Sequence, residues 1–221
     1  MGKFFNSWFD YLSNNYSYLF QQLGTHVYIS VTSVVLCFAV GFPLGIYIYF
    51  HKRQEGWMMA VINAVQTVPS MAMLTIFLIL FGLGSNTVIL LVVIYSLLPI
   101  VKNTVAGLQN VNSVYLDSAQ GLGMSRRQSL FLVQIPLALP VILAGVKNAL
   151  VLAVGTTTIG SFVGAGGLGD IILRGINTVG GTSILLTGAL LCAFISFVFE
   201  AVISWTEKQL RLDEDKVLPD E

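Results

Sequence analysis

From Trp57 to Val101 the chain carries no ionised side chain. Such a run is too long for one crossing of a bilayer, since a helix across the ~30 Å hydrocarbon layer needs about 20 apolar residues. Gly82-Leu83-Gly84-Ser85-Asn86 divides it, because Gly, Ser and Asn form turns. One span then ends near Phe81 and the next begins near Thr87. Val27–Phe50 is a further uncharged run, closed by His51-Lys52-Arg53. It is too long for a cleaved signal, and those bulky residues stand where small cleavage-site residues would be. Pro140–Phe162 is broken only by Lys147, and Ile184–Trp205 completes a set of five spans. Composition agrees: 55% of the 221 residues are hydrophobic and 10% charged, where a soluble domain carries about 25% charged. The expected fold class is an all-α integral membrane protein, with residues 25–206 as its membrane domain.

The net charge of zero offers no basic field to nucleic acid, and no Cys/His spacing suits a metal. Cys37 and Cys192 lie inside apolar runs and read as packing residues. Residues 1–24 mix Phe, Tyr and Trp with Asn, Ser and Gln. Aromatic rings of this kind favour the membrane–water boundary, so the segment reads as a separate interfacial helix. With five spans, Lys52, Arg53, Lys102, Arg126, Arg127, Lys208, Arg211 and Lys216 share one side, and Lys3 and Arg174 the other. Positive charge stays in the cytoplasm. The amino terminus is therefore expected outside and the 207–221 tail in the cytoplasm of a multi-pass membrane protein.

Polar groups inside spans turn toward protein or a water-filled route. Asn63, Gln66, Thr67 and Ser70 surround Pro69, which is expected to kink the second span. At helical spacing Asn63, Gln66 and Ser70 share one face. Asn103 ends the third span, and Lys147 and Asn148 lie in the fourth. These seven are candidate pathway residues. For Lys147 the alternative is an ammonium that snorkels to the cytoplasmic interface.

The loop 109–136 is polar enough to leave the membrane, yet helical in pattern. Asn112 or Ser113 can cap a helix Val114–Leu122. Gly121 and Gly123 suit its stop. Ser125-Arg126-Arg127-Gln128 fits a capping box that opens a second helix toward Pro136. Val114, Leu116, Ala119 and Leu122 offer apolar surface to a partner.

Asp117-Ser118-Ala119, Gly123 and Val133-Gln134-Ile135-Pro136 resemble the Glu-Ala-Ala, Gly, Ile-x-Leu-Pro pattern of ABC importer permeases. Asp replaces Glu, Ser the first Ala, Val the Ile and Ile the Leu. In order along the chain stand Gln66-Thr67-Val68-Pro69-Ser70, Leu98-Pro99-Ile100-Val101-Lys102-Asn103-Thr104 and Phe162-Val163-Gly164-Ala165-Gly166-Gly167-Leu168-Gly169. Together these resemble the permeases of glycine betaine, carnitine and choline importers, with methionine-type permeases as near relatives. The resemblance implies a type I importer permease fold in a bacterial cell membrane. Leu116, Asp117, Ser118, Ala119, Gln120, Gly123 and Pro136 would then couple to a separate ATPase. It also implies a second permease chain, identical or paralogous, and an extracellular substrate-binding protein.

Gly164, Gly166, Gly167 and Gly169 also fit the dinucleotide pattern G-x-G-x-x-G. That pattern needs a preceding strand and an acidic residue about 20 positions on, and the chain offers Gly188-Ala189-Leu190 there. A tight non-helical turn between spans four and five is the expected role. No Walker-type phosphate loop is present, so this chain is not expected to be the ATPase. The ATP-driven transport that the resemblance implies would place ATP and magnesium on a partner ATPase, with no catalytic residue or resident cofactor expected here. An ion-coupled carrier is the other functional class. Five spans are few for it, and Glu200 alone is a candidate ion-coupling carboxylate.

Overall fold

The computed structural model describes residues 2–210, with side chains from residue 5 onward, and every regular element in that range is helical. Arg211, Lys216 and most of the 207–221 tail lie outside the described residues, as does the Lys3 side chain. Four helices are long and apolar enough to cross a membrane, and a bent pair, counted as one broken span, brings the number to five.

Helix α1, Gly2–Phe50, is continuous over 49 residues. The expected segment 1–24 is therefore not separate from the first span: from Gly2 on it is the same helix. Gly24 is the one glycine between Gly2 and Gly41, and it does not interrupt the helix. Part of the aromatic half packs on protein, while Phe5, Phe9, Tyr16 and Phe20 stay exposed. Trp8 Nε1 donates to Thr187 Oγ1 at 2.9 Å on the last helix. Leu12, Leu19 and Leu23 join an apolar cluster with Leu168, Ile171 and Ile195.

The second span is broken rather than kinked. Helices α2, Lys52–Thr67, and α3, Ser70–Phe81, meet at 90°. Val68 is extended (φ −68°, ψ 129°), as the residue before a proline prefers. Pro69 contributes no N–H and caps α3.

Helix α4, Ser85–Gln109, is the centre of the bundle and is buried along most of its length. Small residues let its neighbours approach. A Cβ on Gly45 of α1 would lie 2.6 Å from Thr104 of α4. Two short helices follow, α5 (Ser113–Gly121) and α6 (Arg126–Ser129), and then a π-helical turn, Leu130–Gln134. The turn feeds helix α7, Ile135–Thr157, without a stop at Pro136. A proline lacks an N–H and crowds the preceding turn. The wider π turn before Pro136 accommodates both, so the helix continues where the sequence suggested an end. On α7, Gly145 lies against α4, where a Cβ would come within 2.8 Å of the Pro99 carbonyl. A 3₁₀ segment, Thr158–Val163, a short helix α8, Leu168–Ile176, and the last helix α9, Thr182–Leu210, complete the chain.

Candidate functional site

The loop between α4 and α7 is held by its own side chains. Asn112 Oδ1 accepts from the Val114 N–H at 3.0 Å and so caps α5. Gly123 reverses the chain at φ 74°, and the Gly123 and Met124 N–H groups donate back to the Gln120 and Ala119 carbonyls. Ser125 and Gln128 form both bonds of the capping box, at 2.8 and 3.3 Å. The loop is tied to α2 where Gln109 Nε2 donates to Glu55 Oε2 at 3.0 Å. Asp117, Ser118 and Leu122 are exposed on the outer face of this unit, and Gln120 is exposed at its border with the cavity below. Two candidates sit differently. Ala119 is 3% exposed and turned inward, because α5 is short and its inner stripe packs toward the π turn. It therefore offers no surface to a partner. Pro136 is half-buried in the first turn of α7, away from the exposed face. Leu116 is half-buried and lines a cavity of about 450 Å³ beneath the loop, together with Gln120 and Met124.

At the break in the second span the backbone finds its partners on α4. Gln66 Nε2 donates to the Tyr95 carbonyl at 2.6 Å, and the Tyr95 hydroxyl donates to the Val68 carbonyl. Gln66 thus secures the break from a half-buried position. Asn63 and Thr67 are exposed, and Thr67 Oγ1 donates to the Ala64 carbonyl at 2.7 Å. Ser70 does not share their face, contrary to the helical spacing, because α2 ends at Thr67 and Ser70 opens α3 on a different axis. Asn103 is half-buried, with Nδ2 donating to the Pro99 carbonyl at 2.8 Å and Cβ against Gly145. Lys147 Nζ reaches Ser204 Oγ of α9 at 3.4 Å, and Asn148 beside it is exposed.

The glycine-rich stretch is a non-helical turn at Gly164, Gly166 and Gly167, with φ of 68°, 76° and 87°. Gly169 is not part of it. It lies within α8, where a Cβ would stand 2.0 Å from the Thr158 carbonyl oxygen. Close helix packing, not a turn, requires that glycine. Two residues of α1 that the sequence reading passed over hold the turn. Gln22 Oε1 accepts from the Gly167 N–H at 2.6 Å, and His26 Nδ1 accepts from the Leu168 N–H at 3.2 Å. His26 is fully buried. Since Nδ1 accepts, Nε2 carries the proton. Nε2 is buried without a hydrogen-bond partner. A histidine at the head of a long apolar run was the available signal. From α4, the Gly84 N–H donates to the Val163 carbonyl and Ser85 Oγ to the Ala165 carbonyl. The turn therefore joins α1, α4 and α7 at one end of the bundle.

Residues 38–212 match the model of the binding-protein-dependent transport system inner membrane component family. The chain is 44% identical to the carnitine transport permease protein OpuCD of Listeria monocytogenes, over 95% of this chain and 94% of that one. It is 47% identical to the glycine betaine/carnitine/choline transport system permease protein OpuCD of Bacillus subtilis, over 90% and 87%. To the choline transport system permease protein OpuBD of the same organism it is 44% identical, over 90% and 88%. In structure it is similar to a chain of the inward-facing MetNI methionine ABC transporter. The TM-score is 0.77 at 18% identity, over 87% of this chain and 95% of that one, and this likeness bears on the fold.

Proposed function

The chain belongs to the binding-protein-dependent transport system inner membrane component family, and on that footing we propose that it is the membrane subunit of an ATP-driven importer of glycine betaine, carnitine or choline. The observation that carries the solute class is the identity of 44–47% over most of the chain to permeases named for those compounds. The subunit does no bond chemistry. ATP and magnesium are bound and hydrolysed by a partner ATPase, which docks on α5 at Asp117, Ser118 and Gln120. The exposure of those side chains and the self-capping of the loop support that role. A second permease chain completes the route, and an extracellular binding protein delivers the solute. The loop and the tail face the cytoplasm, in line with the distribution of Lys and Arg. Asn63, Gln66, Thr67, Ser70, Asn103, Lys147 and Asn148 remain the candidates to border the route, with Gln66 and Asn103 also holding helices in place.

The test is uptake of labelled glycine betaine, carnitine and choline into proteoliposomes holding the permease chains, the ATPase and the binding protein. Accumulation that requires internal ATP is the expected result. Accumulation driven by an ion gradient without ATP, or none of any of the three solutes, overturns the reading.

A further inference from the structure

Between α7 and α9 lies a cavity of about 340 Å³ whose wall includes Lys147, Asn148, Val151, Leu152 and Glu200. Both ionisable groups lie inside their spans. Lys147 is about 10 Å along α7 from Pro140, where the fourth span begins, and Glu200 about 8 Å from Trp205, where the fifth ends, at 1.5 Å per residue. The Lys147 ammonium touches Ser204 Oγ at 3.4 Å, and Glu200 precedes Ser204 by one helical turn on the same face. The two charges therefore face one groove. They do not neutralise each other: no ion pair joins them, and Glu200 has no side-chain partner among the described residues. An ammonium has three donors, and Lys147 engages one long acceptor. Charged groups at membrane depth are costly against lipid and turn to protein or water, and Asn148, Val151, Leu152 and Glu200 on this face are all exposed in the single chain.

We propose that this cavity is a weak solute-binding station for a zwitterion with a quaternary ammonium at one end and a carboxylate at the other. Lys147 takes the carboxylate. Glu200 takes the cation, and Val151 and Leu152 lie against its methyl groups. A quaternary ammonium has no N–H to donate, so it is recognised by charge, apolar contact and cation–π contact; this wall offers the first two. The proposal rests on the osmoprotectant reading above and assigns residues for that solute class within the membrane. It also gives Glu200 a role other than ion coupling.

The test is saturation-transfer NMR on the methyl protons of glycine betaine and, separately, of choline. The sample is the purified permease–ATPase complex without binding protein. Both solutes carry the cation, and only glycine betaine carries a carboxylate. K147Q should weaken glycine betaine about tenfold relative to choline, the loss of one charge-assisted contact. K147R, which keeps the charge, should leave that ratio within about threefold. E200Q should weaken both solutes about equally. The proposal is overturned if the wild-type complex transfers saturation to neither solute, or if K147Q weakens both alike. Should K147Q not assemble, E200Q decides: Glu200 is exposed, and unchanged binding of both solutes in that variant overturns the proposal. Wild-type uptake that depends on ATP, together with any of these negative results, removes the station and leaves the importer reading standing. Absence of wild-type uptake removes the importer reading itself.

Discussion

The reversal at Gly123 and the reversal at Gly164–Gly167 rest on the same backbone, with φ of 74° in the first and 68–87° at the glycines of the second. Their surroundings differ. A Cβ built at Gly123 meets nothing within 4 Å, and the capping and turn bonds around it come from residues two to five positions away. A Cβ at Gly167 would stand 3.1 Å from His26 Nδ1, and the turn is fastened by side chains 145 and 142 residues away in sequence. The first turn is complete by itself and leaves its outer face free. The second exists only when α1, α4 and α7 have come together. A docking element gains from being self-sufficient, because its shape must be ready before the partner arrives. A junction between spans gains from the reverse, since it then reports whether the spans are in place.

Substitutions should separate the two regions, and the largest effect belongs to the tertiary one. Gly169→Ala places a Cβ against the Thr158 backbone, which cannot move alone. Overpacking of this severity should cost about 3 kcal/mol, read as a clear fall in melting temperature and aggregation of the detergent-purified protein. A melting temperature equal to wild type would break the contrast at its strongest point. His26→Leu removes the acceptor of the buried Leu168 N–H at a cost of about 1–3 kcal/mol. Amide exchange at residues 166–168 should rise while exchange in α5 stays as it was. Spread of the effect into α5 would mean that the two turns are coupled.

Gly123→Val should act differently. It forces a β-branched residue into positive φ, about 1–2 kcal/mol of local strain, in open surroundings. Membrane abundance should remain near wild type while co-purification with the ATPase and ATP-driven uptake are lost. Retention of both would sink the docking role of the loop. Asp117→Ala is the mildest: its side chain is exposed, so stability should not change. Coupled uptake should drop about threefold, the size of one exposed charged contact.

The same division decides what could be read from sequence. The Asn112 cap, the Ser125–Gln128 capping box and the Gly123 reversal were legible because each uses partners within a few residues. The spans were legible from their length and apolarity. Ala119 was misread because its motif position says nothing about which stripe of a short helix faces inward. Ser70 was misplaced because residue spacing assumes an unbroken helix, and Val68-Pro69 ends it. Gly169 looked like a member of the turn, since a glycine needed for close approach has the same letter as one needed for positive φ. Gln22 carried no local sign of its task, His26 showed only as a histidine at the head of an apolar run, and the docking of the Trp8 segment on Thr187 left no local sign either. Those depend on pairing between ends of the chain.

The broken second span has a consequence for biosynthesis. Around Val68 and Pro69 the helical ladder is interrupted, and the groups that secure the break, the Tyr95 hydroxyl and the Tyr95 carbonyl, belong to α4. Unpaired backbone is not tolerated against hydrocarbon. When the ribosome has delivered only α2 and α3, the break has no tertiary partner. The second span is therefore expected to settle in the bilayer only after α4 follows, and Tyr95→Phe, which removes the donor to Val68, should keep residues 57–81 open to aqueous labelling for longer during synthesis. On that expectation the third span carries in the second.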